Sequence, residues 1–241
     1  MAKHRLWLDS IPGGLRPGQT MLIEGEEAWH AVSVKRVVPG EEVELLDGQG
    51  HRATAQVQAV EGKKGRARLV ALVGQVEALA EPAPRLTVLT AVPKGGRVDD
   101  MIDQLSQAGA AAWGPLHATR SVVDPRPAKL DRLERIAIEA AKQCGRGRAL
   151  AVLPPCTLAD ALRPEPGVSV LVADGSGVAV GDLSAGGSGL RLLVGPEGGW
   201  TDEELGQARA GGAGVVRFGP HIMRSEPAAV VAAGVLMSRS A

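Results

Sequence analysis

LLVGPEGGW, at residues 192–200, is the stretch from which the fold is most readily inferred, because an apolar run ends there in a Gly-Pro pair. A second stretch of this kind, FGPHIMRSE, occupies residues 218–226. Glycine tolerates unusual dihedrals, whereas proline fixes its own φ and lacks an amide donor, so a Gly-Pro pair turns the chain. Each stretch therefore predicts a strand that opens into a loop. In open α/β sheets such strand ends bind ligands, and we expect the two loops to form one pocket.

The chain around these loops alternates between strand and helix patterns from Leu86 onward. Strands are predicted over residues 86–92, 110–116, 150–153, 168–173, 190–194 and 215–218. Helices are predicted over 98–105, over 130–144, around 158–162, over 202–210 after a Thr201–Glu204 capping box, and from Pro227 to Met237. This alternation predicts an α/β fold with a largely parallel sheet and helices on both faces.

The first part of the chain has a different pattern, and residues 1–76 predict a small β domain. Its apolar or alternating runs lie at 6–8, 21–23, 32–34, 43–46, 53–60 and 67–73, separated by glycine-containing turns. Strands at this spacing are typical of a barrel or a sandwich. Residues 77–85 contain Pro82 and Pro84 and are predicted to be a linker. The α/β domain then covers 86–241.

Net charge gives no global attraction to nucleic acid, because 27 basic residues balance 27 acidic ones. The charges are nevertheless uneven, since residues 117–148 carry eight Lys or Arg against four acids. Such a strip is either a phosphate-binding surface or an ordinary solvated helix face, and charge alone leaves both readings open. Aromatic residues are scarce, with no Tyr, one Phe and four Trp, so base stacking on aromatic side chains is not expected to dominate binding.

The composition also bears on compartment and cofactor class. The sequence has no uncharged apolar run long enough to span a membrane and no signal-like apolar start. Cys144 and Cys156 make neither a disulfide framework nor a four-ligand zinc site, and the five histidines are scattered. We therefore expect a cytoplasmic protein without a membrane partner or a metal.

Common nucleotide and nucleophile motifs do not match. The sequence has no P-loop and no G-x-S-x-G elbow, and Gly175, Gly177 and Gly181 have the wrong spacing for a dinucleotide fingerprint. The two Gly-Pro loops remain. Either loop alone is read most simply as the end of a strand, but together they favour a ligand pocket. Backbone amides freed from a sheet can hold an adenine edge or a carboxylate.

The two loops together resemble the paired signature of the SPOUT methyltransferases, in the form found in RsmE-type enzymes, which methylate N3 of a uridine in 16S (small-subunit) ribosomal RNA. Residues 4–8 and 29–36 resemble that family's PUA-like, RNA-binding β-barrel. Residues 93–97, 119–122 and 139–146 resemble its central motifs. The resemblance implies a SPOUT domain tied in a deep trefoil knot, an exception to the rule against knots. It also implies S-adenosyl-L-methionine as cofactor and a homodimer with the active site at the subunit interface.

The resemblance assigns roles to individual residues. Arg224 is expected to stabilise negative charge on a uracil oxygen, and Glu226, or alternatively Glu197, to shape the loop or accept a proton. The expected cofactor contacts are Val194, Gly195, Pro196, Glu197, Gly198, Gly199, Phe218, Gly219, Ile222, Met223 and Ser225. The expected RNA contacts are Arg5, Arg36, Lys94, Arg97, Arg120, Lys142 and Arg146, each of which is otherwise an ordinary surface charge.

The sequence departs from the family pattern at several positions. His221 stands where the family usually has Arg, Met223 where it has Leu, and Ser225 and Pro227 where it has Thr. Gln107 replaces a usual acid. Pro227 and Gln107 leave open two alternatives, a non-catalytic rRNA-binding relative and a SPOUT enzyme that acts on another RNA, such as transfer RNA.

Overall fold

The computed structural model describes residues 4–9, 11, 13–62, 67–93, 95–123, 127–182 and 187–239. The chain divides into two compact units, the first formed by residues 1–81 and 141–149 and the second by 82–140 and 150–241. Residues 141–149 thus belong to the first unit, whereas the sequence analysis placed them in the α/β domain.

Among the described helices, none has the length and apolar character needed to cross a membrane.

The first unit is built on a five-stranded sheet with its own core of buried side chains. Its strands are β1 (His4–Trp7), β2 (Thr20–Ile23), β3 (Glu42–Leu46), β4 (His51–Glu61) and β5 (Arg68–Ala78). The order is β1-β3-β4-β5-β2, and only the β1–β3 pair is parallel. Leu6, Val43, Leu45 and Leu69 are fully buried in its core. Alternate residues of β3 thus point inward, as the period of a strand requires.

The apolar run at 32–34, predicted to be a strand, is helical instead. Helix α1 (Gly25–Trp29) continues directly into a π-helical turn, His30–Val34. Ala28 and Ala31 are fully buried, and Val32 packs against the same core. A spacing of three and four residues is that of a helix face, and the core therefore selects the helix over the strand.

The second unit is built on a seven-stranded sheet in which every pairing is parallel. Its strands are β6 (Arg85–Thr90), β7 (Ala112–His117), β8 (Ala151–Val152), β9 (Cys156–Thr157), β10 (Val168–Ala179), β11 (Gly189–Val194) and β12 (Gly214–Arg217). The order is β12-β10-β11-β6-β7-β8, with β9 paired to β7. The predicted parallel sheet is confirmed, and the short β9 is an addition to it.

Helices cover this sheet on both faces. They are α2 (Arg97–Gln107), α3 (Pro127–Cys144), α4 (Leu158–Ala161), α5 (Asp202–Ala210) and α6 (Ser225–Ser238). Helices α4 and α5 share a core with Leu89, Val172 and Leu193, whereas α6 packs against α2, β6 and β11. Leu192 and Leu193 are both fully buried, as expected for a strand covered on both sides.

The sheet order brings three loops together. Strands β12, β10 and β11 are neighbours and run parallel, so their carboxyl ends lie at one edge of the sheet. Strand β10 loses register with β12 between Ala173 and Val178, so residues 174–177 bulge out of the ladder. This bulge therefore emerges beside the loops that follow β11 and β12.

Candidate active site

The three loops enclose a cavity of about 450 Å³. This volume lies within the range of roughly 300–1,000 Å³ that small-molecule sites occupy. The walls are formed by residues 173–175, by 194–197 with 199 and 200, and by 216–223 with Ser225 and Ala228. The two Gly-Pro loops thus share one pocket, as the sequence analysis predicted.

The residues predicted to hold the cofactor lie at this cavity, with one exception. Ten of them line it, namely Val194, Gly195, Pro196, Glu197, Gly199, Phe218, Gly219, Ile222, Met223 and Ser225. Gly198 is exposed and does not appear in the cavity wall.

The third wall, Ala173–Gly175, was missed by the sequence analysis. Gly175 was considered there only as part of a dinucleotide fingerprint, for which its spacing is wrong. In the sequence, the residue that could have indicated this wall is Gly177. In the structure, a Cβ atom at Gly177 would lie 2.4 Å from the backbone nitrogen of Val216. Only glycine allows this approach of the bulge to β12, and it marks the place where β10 leaves the regular ladder.

Two side chains join the walls to one another. The buried Ser225 hydroxyl donates a hydrogen bond of 2.8 Å to the carbonyl oxygen of Gly195. The Trp200 indole Nε1 donates to the carbonyl oxygen of Ala173 over 3.1 Å. A Cβ atom on Gly195 would lie 2.9 Å from the Trp200 indole, so the glycine permits this packing. The three loops around the cavity are therefore joined to one another.

The cavity has the chemical character of a site for a partly apolar ligand that carries charges of both signs. Apolar groups of Val194, Pro196 and Phe218 and exposed backbone from the strand ends form much of its wall. Asp174 and Glu197 also border it and favour a nearby positive charge, whereas Arg217 borders it and favours a negative one. A sulfonium joined to an adenine and an amino acid combines these requirements, so the residues present fit S-adenosylmethionine.

Arg224 and Glu226 lie at the start of α6, beside the cavity wall. Arg224 is the exposed N-cap residue of the helix, and no hydrogen bond or ion pair engages its guanidinium within the described residues. Glu226 Oε1 accepts a bond of 3.4 Å from Arg97 Nη1. Glu226 Oε2 is buried without a hydrogen-bond partner among the described residues. The start of α6 thus carries an exposed cation and a buried carboxylate oxygen without a hydrogen-bond partner among the described residues, and both residues flank Ser225 of the cavity wall.

Comparison with known proteins agrees with this geometry. A family model described as an RNA methyltransferase domain matches residues 80–237, and an RNA methyltransferase PUA domain matches residues 23–70. The Ribosomal RNA small subunit methyltransferase E of Mycobacterium tuberculosis is 34% identical over 253 residues, covering 99% of this chain and 94% of the relative. The chain belongs to the RsmE-type RNA methyltransferase family.

Other members of the RsmE-type family are similar over nearly the whole chain. The Bacillus subtilis enzyme of the same name is 27% identical over 95% of this chain and 94% of its own length. A crystal structure of the Neisseria gonorrhoeae enzyme, bound to S-adenosyl methionine, superposes with a TM-score of 0.86 at 29% identity and covers 98% of both chains. S-adenosylmethionine is thus the cofactor of the family.

The residues predicted to contact RNA in this RsmE-type chain fall into different surroundings. Arg36 is exposed, with a left-handed φ of 58°. Arg97 is partly exposed and paired with Glu226. Arg120 donates to carbonyl groups of the first glycine loop rather than standing free. Lys94 lies outside the described residues.

Lys142 is engaged inside the first unit, which argues against direct phosphate contact. Its side chain is only 5% exposed, and its ammonium donates to Glu27 over 2.9 Å. A buried ammonium cannot reach a phosphate unless this pair opens, and breaking a buried pair is costly. The basic strip at residues 117–148 therefore includes at least one cation that is paired inside the protein.

Arg5 and Arg146 also have protein partners in the first unit. Arg5 donates to Glu44 over 2.8 Å and to the carbonyl oxygens of Lys142 and Gln143 over 3.0 and 2.7 Å. Those carbonyls belong to the last turn of α3, which has no intrahelical donors for them. Arg146 Nη2 lies 3.5 Å from a Glu81 oxygen. Both arginines thus fasten residues 141–149 within the first unit.

Proposed function

We propose that this chain transfers a methyl group from S-adenosylmethionine to N3 of a uridine in 16S ribosomal RNA. The observation that carries the proposal is the cavity itself, whose three walls are joined through Ser225 and Trp200. Arg224, which precedes the wall residue Ser225, is exposed at the start of α6. The relatives of this chain are named for methylation of small-subunit ribosomal RNA. When bound, the cofactor supplies an electrophilic methyl group on its sulfonium.

The chain's own contribution to cofactor binding is a preformed backbone cradle. Residues 194–199 and 218–223 present peptide groups at strand ends, where the sheet no longer uses them. Because Ser225 and Trp200 hold these segments before binding, little conformational freedom remains to be lost. Most of the rate gain should then come from holding two reactants in line.

Arg224 is the group that we assign to the reacting base. Uridine N3 carries a proton, and the uracil becomes anionic as that proton leaves. The Arg224 guanidinium is permanently charged and exposed, and it stands at the N-terminus of α6, where the helix dipole also favours an anion. Arg224 therefore stabilises the developing charge on a uracil oxygen.

Glu226 is the carboxylate that we assign to the N3 proton. Its Oε1 is oriented by Arg97, whereas its Oε2 has no hydrogen-bond partner among the described residues. A positioned but unsatisfied acceptor can take a proton without first losing another bond. Glu197, exposed in the first loop, then shapes the cavity without accepting the proton.

RNA binding is assigned mainly to cations that have no assigned role inside the protein and to the PUA-matched unit. Arg36 and Lys94 are proposed as phosphate contacts, and Arg97 as a contact that also orients Glu226. Arg5, Lys142 and Arg146 are proposed to act indirectly, by holding residues 141–149 in place. Phosphate contacts position the substrate, whereas the target base is selected at the cavity.

A second copy of this chain is the partner proposed for α6. The helix carries no charged residue from Pro227 to Ser238, and Val231 is 41% exposed. A helix that is apolar on all sides is normally buried, so its outer face suits a matching α6 in a homodimer. Light scattering should give the mass of a dimer for the native chain and of a monomer for Val231→Glu. A native monomer would remove this proposal.

Two of the departures from the family pattern, Gln107 and Pro227, do not favour loss of the chemistry. Gln107 is exposed at the end of α2, where its amide donates to Asp103 over 2.8 Å. Pro227 is exposed in the first turn of α6. Neither residue appears in the cavity wall, so these two departures leave that wall unchanged.

The test is transfer of an isotope-labelled methyl group to small ribosomal subunits that lack the modification. Label in 3-methyluridine of 16S RNA supports the proposal. RNA binding without transfer would instead indicate a non-catalytic relative. Label in transfer RNA or in another nucleoside would indicate a SPOUT enzyme of different specificity.

A further inference from the structure

The segment after β7 donates several hydrogen bonds to the first glycine loop and the start of α5, and each of the two segments contributes a side chain to them. Residues 118–121 follow β7, and residues 198–204 form the end of the loop and the start of α5. A side chain from each segment reaches the backbone of the other, through Arg120 and Glu204. Neither side chain appears in the wall of the cavity.

Arg120 holds the loop from outside. Its Nη1 donates to the carbonyl oxygen of Gly198 over 2.6 Å and to that of Trp200 over 3.4 Å. The stem packs closely as well, because a Cβ atom on Gly198 would lie 3.3 Å from Arg120 Cδ. Bonds from a charged donor are stronger than neutral ones. Arg120 therefore fixes the residues on either side of Gly199, which lines the cavity.

Glu204 completes the connection from the other side. One of its buried carboxylate oxygens accepts from the Thr119 amide over 2.8 Å, and the other accepts from the Thr201 amide over 2.8 Å. Burial acts to raise the pKa of this carboxyl, but the bonds from Thr119 and Thr201 outweigh burial and hold the pKa below its usual range. The carboxylate is therefore the form that the fold selects.

We propose that Arg120 and Glu204 are positioning residues that set the affinity of the cavity for the cofactor without touching it. This inference rests on the proposed function, since it concerns the same site. The path is short, because Arg120 binds the Trp200 carbonyl and the Trp200 indole binds Ala173 on the opposite wall. If Trp200 were held less firmly, both its own wall and the wall of Ala173 would be less well positioned. The binding-competent fraction, and with it the apparent affinity, would then fall.

The experiment compares Arg120→Met with Arg209→Met, which removes the same charge from an exposed position on α5. Calorimetry with S-adenosylhomocysteine should show a dissociation constant about 10- to 100-fold higher for Arg120→Met, as expected for loss of charge-assisted bonds. Arg209→Met should bind like the native chain. Affinity for a 16S RNA fragment should be equal in both variants.

Kinetics separates positioning from a general loss of structure. Arg120→Met should raise KM for the cofactor and leave kcat at saturating cofactor largely intact, and Arg120→Lys should restore part of the affinity. If Arg120→Met does not fold, Glu204→Gln provides the same comparison, because it keeps the shape and removes the charge. It should also raise KM for the cofactor.

The inference is overturned if Arg120→Met binds the cofactor normally and loses affinity for RNA, since Arg120 would then be a phosphate contact. It is also overturned if Arg120→Met and Glu204→Gln both leave cofactor affinity unchanged. Absence of cofactor binding by the native chain would be a different failure, because it removes the proposed function itself.

Discussion

The Ser225 hydroxyl and the Gly195 carbonyl oxygen lie 2.8 Å apart in a buried hydrogen bond that joins the start of α6 to the end of β11. The two residues are thirty positions apart in sequence and belong to different Gly-Pro loops. A buried bond of this kind stabilises little when present but is costly to break on one side only. Ser225 therefore controls how the two loops stand relative to each other.

Ser225→Ala is expected to weaken cofactor binding and to destabilise the fold by about 1–3 kcal/mol, because it leaves a buried carbonyl without a donor. Ser225→Thr keeps the hydroxyl and is the matched control. The unfolding temperature and the cofactor affinity of Ser225→Thr should be close to those of the native chain. Both should be lower for Ser225→Ala. Equal behaviour of the two variants would mean that the hydroxyl does not matter.

Gly195→Ala is expected to be damaging, because the new Cβ atom would lie 2.9 Å from the Trp200 indole. Overpacking of this kind costs about 1–3 kcal/mol. Gly206 on α5 has no heavy atom within 4 Å of the corresponding Cβ position. Gly206→Ala should therefore stabilise the helix by about 0.5–1 kcal/mol. Denaturant unfolding should show a lower free energy of unfolding for Gly195→Ala and a higher one for Gly206→Ala. A stabilising effect of Gly195→Ala would contradict the packing described for Trp200.

Arg224→Ala is expected to lower kcat by about 100- to 1,000-fold, the usual effect of removing a donor to a developing oxyanion. Cofactor affinity should be retained, because the guanidinium does not line the cavity. Labelled-methyl transfer and calorimetry measure the two properties separately. Arg209→Ala serves as the charge-matched control. Unchanged turnover of Arg224→Ala would remove this residue from the mechanism.

Glu204 predicts a specific pH dependence of stability. Its folded-state pKa is lowered, so its contribution is complete above the unfolded-state value and is lost as the pH falls through the folded value. The stability difference between the native chain and Glu204→Gln should be constant from neutral pH down to about 4.3, the ordinary pKa of Glu. Below that pH the difference should shrink, as measured by urea unfolding. A difference that grows on acidification would contradict the assignment.

The parts of the site that the sequence predicts are those with local signals. A Gly-Pro pair after an apolar run identifies residues 192–200 and 218–226 as strand ends. The capping box is equally local, since Thr201 and Glu204 are three residues apart and their bonds stay within one turn. These features do not depend on which strands are neighbours.

The parts that the sequence does not predict depend on tertiary pairing. Ala173–Gly175 enters the site only because β10 lies between β11 and β12 and loses register there. Lys142 looks like a surface cation in sequence, and only the fold of the first unit brings Glu27 to it. Residues 32–34 are apolar enough for a strand, but the preceding α1 and the core position of Ala31 make them helical.

The central claim is that the cavity between residues 173–175, 194–200 and 216–223 holds the methyl donor. A crystal structure of this chain grown with S-adenosylhomocysteine tests it most directly. The account predicts the ligand between the three loops, with its sulfur open toward the side on which Arg224 stands. Ligand bound at another place, with this cavity empty, would contradict the account.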